Sequence, residues 1–464
     1  MVKQKRLIHL LASVFIALSV FITTPLFILI STNAITFSDY EFEILEDDTA
    51  KITKYNGNAS RLEIPDSLNG YTVSEIGVNA FSNCVPIDSV VIPDSVTKIS
   101  SLAFYGCSSL QTVKFSNNLA VIDHYAFAEC KSLLNVDFPE SLTTIGDSSF
   151  YGCTGLTDIF IPKNVSGYLK FGSKYGAFYG CSNITSFKVD PDNKYFDSRE
   201  DCNAIIHTAS NTLLYGCANT IIPNGITTIY DQAFAEHKDL KKIVIPDSVT
   251  VIGNYAFENC TSLEEINFGE GLARIDISAF HNCSCLKKIA IPDTVTTIGM
   301  YAFLSCDNLK NVKIGNQVKN IGLAAFRDCS NLSKITIPKS VEYINEDALG
   351  YVWNSDKQDL DKVNDYTIYG YTGTAAETYA NNNGFNFIDL NNVPEPKIGD
   401  ADGDGEITVK DVTEVQFYLS NMTTQTDEET LMFADIDKNG RLEVIDATWL
   451  QRYLAEMPIP YMIG

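Results

Sequence analysis

The sequence predicts a β-rich solenoid of parallel strands followed by a small all-α domain at the C-terminus. Two observations support this fold class. A 23-residue pattern recurs between about residues 79 and 350, and two acidic twelve-residue loops, 35 residues apart, each lead into an amphipathic segment. Because 464 residues exceed what one compact core holds, stacked repeats are a natural way for this chain to bury its apolar groups.

Each repeat is marked by a small residue followed by phenylalanine. Within each block the pairs lie 23 residues apart, and their rings are Phe81, Phe104, Phe127, Phe150, Phe178, Phe234, Phe257, Phe280, Phe303 and Phe326. One full unit, residues 240–262, reads LKKIVIPDSVTVIGNYAFENCTS. Its L-x-x-I-x-I start predicts a short strand with alternate side chains in the core, and Pro246 ends the strand because it cannot donate to a ladder. We expect Gly253 to permit the next bend.

These units resemble the BspA-like leucine-rich repeats of bacterial surface proteins. The shared hallmark is I-P-x-S-V-T-x-I-G-x-x-A-F-x-x-C, and the resemblance covers roughly residues 36–390. It implies a leucine-rich-repeat solenoid in which the first strand of each unit joins a parallel sheet on one concave face, with strands about 4.8 Å apart.

The domain boundaries follow from these patterns. The predicted segments are a signal peptide at 1–34, an N-terminal cap with the first coil at 35–78, repeats at 79–350, a C-terminal cap at 351–390, a linker at 391–397 and the all-α domain at 398–464. The repeats are interrupted at about 190–220, where the sequence predicts a protruding β-hairpin whose turn lies near Ala209 and Ser210.

Most of the 12 cysteines occupy one position of the repeat, three residues after the phenylalanine. They are Cys84, Cys107, Cys130, Cys153, Cys181, Cys260, Cys283, Cys306 and Cys329. Equivalent positions of stacked repeats form a buried ladder, so these residues are predicted to be free thiols that act as small apolar fillers. His237 takes this position in one unit. If the hairpin loop spans 208–211, Cys202 faces Cys217, which makes them a candidate disulfide with two free thiols as the alternative.

Two loops near the C-terminus carry oxygen ligands at calcium-site spacing. Positions 1, 3, 5, 7 and 12 are Asp400, Asp402, Asp404, Glu406 and Asp411 in the first loop, and Asp435, Asp437, Asn439, Arg441 and Asp446 in the second. The ligand at position 7 is the backbone carbonyl, and Gly405 and Gly440 at position 6 permit the sharp turn. Since clustered carboxylates repel one another without a cation, the sequence predicts two Ca²⁺ ions.

Each loop runs into a predicted amphipathic helix. The apolar stripes, which we expect to pack against each other, are Val412, Val415, Tyr418 and Leu419 in the first helix and Ala447, Leu450, Tyr453 and Leu454 in the second. Pro394 and Pro396 precede the first loop, so the entering helix of a standard EF-hand is missing.

Duplicated loop–helix segments with Asp at position 12 resemble a type I dockerin, here over about residues 398–457. The resemblance implies a cohesin domain of a scaffoldin as the partner. It places the contacts at loop positions 10 and 11 and on the following helix, here Val409, Lys410, Gln416, Phe417, Val444, Ile445, Gln451 and Arg452. A place in the dockerin core is the alternative for Phe417, Val444 and Ile445. Many members carry Ser or Thr at the loop pair, so Val-Lys and Val-Ile leave the cohesin class open.

The charge distribution and the N-terminus indicate an exported protein. The net charge is −24, which argues against nucleic acid as a partner because phosphate binding needs clustered Lys and Arg. A basic start is followed by an apolar run from Leu7 to Ile30 and a small-residue site ending at Ala34. This pattern predicts a secretion signal, with an uncleaved membrane anchor as the alternative.

No catalytic motif such as G-x-S-x-G or H-E-x-x-H occurs, and the repeats leave no domain in which to build a hydrolase cleft. The sequence therefore predicts a secreted, non-catalytic binding or adhesion subunit. It would be anchored by calcium-dependent dockerin–cohesin binding to a cellulosome-type scaffold or cell surface, with a protein or glycan on the solenoid face. Two alternatives stay open: a part in glycoside-hydrolase-linked polysaccharide degradation, and a purely structural spacer.

Overall fold

The computed structural model describes residues 35–167, 176–392, 397–402, 406–420, 431–438 and 441–458. The predicted signal peptide lies outside these residues. Two compact units divide the chain, residues 1–150 and 151–464. Within the described segments, no helix has the length and apolar character needed to cross a membrane.

The first unit is a β-solenoid that begins with an antiparallel meander. Its strands are β1 (Ile35–Phe37), β2 (Tyr40–Ile44), β3 (Ala50–Tyr55), β4 (Arg61–Glu63), β5 (Ser67–Leu68), β6 (Tyr71–Ile76), β7 (Ser89–Val91), β8 (Lys98–Ile99), β9 (Thr112–Lys114), β10 (Val121–Ile122) and β11 (Thr144–Ile145). Strands β1, β2 and β3 pair antiparallel, and parallel pairing then continues through β6, β8, β10 and β11. A second parallel sheet holds β4, β7 and β9.

The second unit contains the remaining repeats and the three α-helices found among the described residues. Its strands are β12 (Asp158–Ile161), β13 (Ser186–Val189), β14 (Phe196–Asp197), β15 (Ala204–His207), β16 (Thr212–Gly216), β17 (Thr228–Ile229), β18 (Lys242–Val244), β19 (Val251–Ile252), β20 (Glu265–Asn267), β21 (Arg274–Ile275), β22 (Lys288–Ala290), β23 (Thr297–Ile298), β24 (Asn311–Lys313), β25 (Asn320–Ile321), β26 (Lys334–Thr336), β27 (Tyr343–Ile344), β28 (Tyr351–Asn354), β29 (Asp359–Lys362), β30 (Thr367–Gly370) and β31 (Asn386–Asp389). The helices are α1 (Ala375–Asn383), α2 (Val409–Leu419) and α3 (Val444–Leu454).

The parallel-strand solenoid predicted from the repeat is confirmed in both units. From β18 to β27 each coil contributes a three-residue strand and a two-residue strand. Lys242 of β18 pairs with Glu265 of β20, and Val251 of β19 pairs with Arg274 of β21, so that neighbouring strands are offset by one 23-residue repeat. The register therefore brings equivalent repeat positions into rows that run from coil to coil.

The repeat phenylalanines form the centre of each core. In the first unit the rings of Phe81, Phe104, Phe127 and Phe150 stack with centroid separations of 4.9, 5.1 and 5.4 Å. In the second unit Phe234, Phe257, Phe280, Phe303 and Phe326 stack at 4.8 to 5.2 Å. Each inner ring is thus covered on both faces by its neighbours, which a single repeat could not achieve.

The ladder cysteines are free thiols, as predicted, and all except the half-buried Cys84 are buried. Their role as apolar fillers is incomplete, because several thiols also donate a hydrogen bond. Each donates to the carbonyl of the phenylalanine 26 residues earlier, at Sγ–O distances of 3.1 to 3.3 Å, in Cys107, Cys130, Cys260, Cys283, Cys306 and Cys329. Burial raises the pKa of the Cys283 thiol well above its usual value, which keeps the donor proton in place.

The bend predicted at Gly253 is present, because the N–H of Ala256 donates to the carbonyl of Gly253 at 3.3 Å and closes a turn that begins at the glycine. Tyr255 and Asn259, on either side of Phe257, adopt left-handed backbone conformations with φ of 58° and 59°. The glycine is required for a different reason, since a Cβ at Gly253 would lie 2.9 Å from the backbone nitrogen of Asp231 on the neighbouring coil. Close coil packing, rather than turn geometry, therefore selects glycine at this position.

The predicted hairpin is present but does not protrude. Strands β15 and β16 pair antiparallel with His207 opposite Thr212, and β16 then pairs in parallel with β17. All five residues of β16 are buried. A short 3-10 turn at Thr208–Ser210 ends in Asn211, which is left-handed with φ of 49°. The hairpin is therefore part of the solenoid sheet.

Candidate metal centres and docking surface

The C-terminal domain has a small core of its own, built by two loop–helix segments. Helices α2 and α3 pack against each other. The buried apolar residues are Ala401, Val412, Val415, Leu431, Ala434, Ile436, Leu442, Ala447 and Leu450. The predicted stripes supply part of this core, but the prediction for Tyr453 was wrong, because its side chain is exposed. Residues between the helices, such as Leu431 and Leu442, fill the space instead, and helical periodicity gave no signal for them.

The first loop gathers three carboxylates. Ligand atoms of Asp400, Asp402 and Asp411 all lie within 4.8 Å of one another, and Asp400 and Asp411 are buried. Both oxygens of Asp411 accept backbone hydrogen bonds, one from the N–H of Asp402 at 3.0 Å and one from the N–H of Thr408 at 2.6 Å. Thr408 is the N-cap of α2, so the carboxylate at position 12 joins the start of the loop to the start of the helix.

The second loop repeats this arrangement. Asp435, Asp437 and Asp446 have ligand atoms within 4.8 Å of one another. The oxygens of Asp446 accept from the N–H of Ile436 at 2.9 Å and from the N–H of Glu443, the N-cap of α3, at 2.8 Å. Burial raises the pKa of the Asp446 carboxyl, and the charges of Asp437 and Asp435 add to that effect, whereas the two backbone hydrogen bonds oppose it.

The remaining predicted ligands stand at positions 5 and 7 of the two loops. Asp404 and Asn439, at position 5, lie outside the described residues. The side chains of Glu406 and Arg441, at position 7, are exposed. Exposed side chains agree with a ligand that comes from the backbone carbonyl at this position.

The predicted docking residues lie on the outside of α2 and α3. Val409 is 71% exposed and Val444 is 70% exposed, and Lys410, Gln416 and Gln451 are exposed as well, whereas Arg452 is half-buried. Phe417 is 36% exposed and Ile445 is 41% exposed. The alternative that placed Phe417, Val444 and Ile445 in the core is therefore wrong.

The candidate disulfide pair lies in the hairpin of the second unit. Cys202 and Cys217 are buried free thiols. A register shift between Ile205 and Ile206 moves the pairing by one residue, so that Ala204 faces Gly216. The Cys217 thiol donates to the carbonyl of Asn203 at 3.5 Å. The register predicted from the turn thus holds only as far as Ile206.

The repeats match the family described as BspA type leucine-rich repeat region, in six copies at residues 74–203 and 215–356. These matches span more than half of the chain. The chain belongs to this family. The dockerin type I domain matches residues 398–455, which contain both carboxylate groups and both helices. Neither the BspA-type repeat nor the dockerin domain is a catalytic family.

Solved structures show the same fold for the BspA-type repeats. A leucine-rich repeat protein from Eubacterium ventriosum is 23% identical with a TM-score of 0.52, covering 68% of this chain and 93% of its own. The pneumococcal vaccine antigen PcpA is 20% identical with a TM-score of 0.57, covering 77% and 98%. A leucine-rich cell surface protein from Faecalibacterium prausnitzii is 29% identical with a TM-score of 0.45, covering 70% and 96%. No curated protein matches the sequence.

Proposed function

We propose that the protein is a secreted, non-catalytic binding subunit that docks through its C-terminal domain, in a calcium-dependent manner, onto a cohesin domain. The solenoid then carries a bound protein or glycan. The observation that supports docking most directly is the pair of carboxylate groups, each with one aspartate whose two oxygens hold a loop and a helix N-terminus together.

The donor set fits Ca²⁺ on chemical grounds. Each loop offers hard oxygen ligands only, and three carboxylates lie within 4.8 Å, where their charges repel unless a cation neutralises them. The residues that would hold the ions are Asp400, Asp402, Asp404, Asp411 and the carbonyl of Glu406 in the first loop, and Asp435, Asp437, Asn439, Asp446 and the carbonyl of Arg441 in the second. A bound ion supplies the positive charge that makes each cluster stable.

Calcium binding is coupled to docking through the first turn of each helix. Val409 and Lys410 directly precede Asp411, and Val444 and Ile445 directly precede Asp446. An ion that fixes the carboxylate at position 12 therefore fixes the exposed pair beside it. Apolar side chains exposed at these points in an acidic domain favour a partner surface over a solvated one.

The decisive experiment is a calcium titration of the full chain by calorimetry, followed by pull-downs against a panel of cohesin domains with and without a chelator. We expect two calcium ions per chain and cohesin capture only when calcium is present. The variant Asp446→Asn should weaken the second site roughly tenfold or more, because it removes a charged ligand that also holds the helix N-terminus.

Asp356→Asn is the matched control, because Asp356 is exposed in the turn between β28 and β29. It should leave both calcium affinity and cohesin capture unchanged. Equal calcium binding by Asp446→Asn and the control, or cohesin capture that survives the chelator, would refute calcium-dependent docking.

A further inference from the structure

Five neighbouring coils of the second unit present one row of short strands to solvent. In each of β18, β20, β22, β24 and β26 the first and last residues point outward. These residues, together with the one residue that precedes each strand, are called the strand face. Within this row Lys242 pairs with Glu265 and Lys288 pairs with Asn311. The second strands of the same five coils, β19, β21, β23, β25 and β27, pair without a break at a constant 23-residue offset and keep all five coils in one register. Side chains at equivalent positions therefore follow one another from coil to coil.

The strand face is strongly basic. It carries seven lysines and two glutamates, a formal charge of +5. Each glutamate is bound to a lysine: Glu265 lies 2.9 Å from Lys242 Nζ, and Glu264 lies 3.2 Å from Lys287 Nζ. The other lysines on this face, all exposed, are Lys241, Lys288, Lys310, Lys313 and Lys334.

This charge does not follow from the repeat or from the overall composition. The whole chain has a net charge of −24. In the first unit, the equivalent positions on β4, β7 and β9 hold two cations, Arg61 and Lys114, and two anions, Glu63 and Asp88. A local excess of positive charge on an acidic protein focuses the field and attracts anions to that face alone.

A recess with a mixed polar and apolar lining adjoins the start of the strand face. Its volume is about 420 Å³, and its lining includes Lys241 and Lys242 with Asn183, Asn219 and Asp239. The recess lies where the hairpin interrupts the repeats. Ammonium and amide groups beside an open cavity suit a hydroxylated, carboxylated ligand such as one acidic sugar unit.

We propose that the strand face binds a linear polysaccharide bearing carboxylate groups, of the uronic-acid type, laid across the strands with one end at the recess. This deepens the proposed role of the solenoid as a binding unit and rests on it. Strands lie about 4.8 Å apart, so Lys288 and Lys334, on alternate strands, present cations about 10 Å apart along such a chain, and Lys313 adds a cation on the strand between them. Asn267, Asn311 and Thr336 are exposed on the same face and offer hydrogen bonds to sugar hydroxyls.

The side chains favour a polysaccharide over a nucleic acid. Across the five strands the face has no arginine and no aromatic residue. Single-stranded nucleic acids are held by stacking of bases on aromatic rings, and phosphates favour the bidentate guanidinium group of arginine. Lysines, which act as compact point charges, interleaved with amides match carboxylates and hydroxyls along a sugar chain.

The test uses the full chain and polygalacturonate, with a chelator present so that calcium does not cross-link the polymer. We expect binding that is lost in about 1 M salt, where the Debye length is about 3 Å, and lost with the fully methyl-esterified polymer. The triple variant K288Q/K313Q/K334Q should bind at least roughly tenfold more weakly, because it removes three of the charges that attract the polymer.

The matched control is K238Q/K319Q/K357Q, which removes the same charge from exposed lysines outside the strand face. Equal weakening by both triple variants, binding that ignores esterification, no binding, or tighter binding of single-stranded poly(dT) would each overturn the proposal. Calcium-dependent cohesin capture by K288Q/K313Q/K334Q should be unchanged, so this test can fail while the docking proposal stands, and the reverse also holds.

Discussion

In the second solenoid unit, five phenylalanine rings stack at 4.8 to 5.2 Å, and each of several buried thiols reaches back to the carbonyl of the coil before it. The C-terminal domain has no such column among its described residues. The described part of its core contains nine buried apolar residues, and it is accompanied by two clusters of aspartates, each with two buried members.

The two regions therefore solve opposite problems. A solenoid coil is covered by copies of itself, so apolar contact with its neighbours is enough to hold it. A domain of about 60 residues buries only a small apolar surface, so its stability is marginal. Clustered carboxylates add repulsion that a bound cation would remove, and this dependence fits the calcium-controlled docking proposed for the domain.

The largest expected effect is on the stability of the second unit, and it comes from the stack of phenylalanine rings. Phe280 lies between Phe257 at 5.0 Å and Phe303 at 5.1 Å, with the edge of Phe268 at 5.8 Å. Phe280→Ala should lower the free energy of unfolding of the second solenoid unit by about 3–5 kcal/mol, because the lost ring leaves a cavity between two coils. Denaturant unfolding followed by circular dichroism measures this.

Calcium titration of Phe280→Ala provides the control for the comparison. The two calcium affinities should match those of the unaltered chain, because the C-terminal core shares no residue with the column. A changed calcium affinity in this variant would show that the two cores are not independent.

A smaller effect is expected from pH at His237, which stands where other coils have a thiol. Burial lowers the pKa of this imidazole to about 4, although Asp239 and a backbone hydrogen bond to Ser182 act in the opposite direction. Below its unfolded pKa of about 6.5, the unfolded chain takes up a proton that the folded chain does not. Stability should therefore fall between pH 6.5 and 4, by up to about 3 kcal/mol, and level off below pH 4.

Amide hydrogen exchange in peptides that cover residues 233–245 measures this local loss. His237→Gln retains a donor for the carbonyl of Ser182 and carries no titratable group, so its exchange should depend less on pH over the same range. If both proteins show the same pH dependence, nearby carboxylates rather than His237 are responsible.

The sequence predicted those features that recur at a fixed spacing. Strand β18, the ring of Phe257 and the carboxylates Asp400 and Asp435 belong to repeats, and repetition alone identified them. Side chains that act across coils were harder to interpret. Within one repeat, Gly253 suggests only a turn. The need for glycine becomes clear from the neighbouring coil, because Asp231 leaves no space for a Cβ atom at this position.

The basic strand face escaped prediction for a related reason. Lys288, Lys313 and Lys334 are ordinary exposed residues in sequence, separated by 21 to 25 positions. Their combined positive charge becomes evident only when the register places them on neighbouring strands. It is distinctive because the equivalent strands of the first unit carry balanced charges. The register predicted for the hairpin does not hold beyond Ile206 for a local reason. A bulge between Ile205 and Ile206 shifts the pairing, and no glycine marks it in the sequence.

The smallest expected effect concerns the ladder cysteines. It distinguishes their role as hydrogen-bond donors from their role as apolar fillers. Cys283 Sγ donates to the carbonyl of Phe257 at 3.2 Å. If that bond stabilises the coil, Cys283→Ala should cost about 1–2 kcal/mol and Cys283→Ser less, because a hydroxyl restores the donor to a buried carbonyl. Cys285→Ala, at a half-buried cysteine in the same coil, should change stability by less than about 0.5 kcal/mol. A pure apolar filler would give the reverse order, with serine worse than alanine, since a buried hydroxyl without a partner is costly.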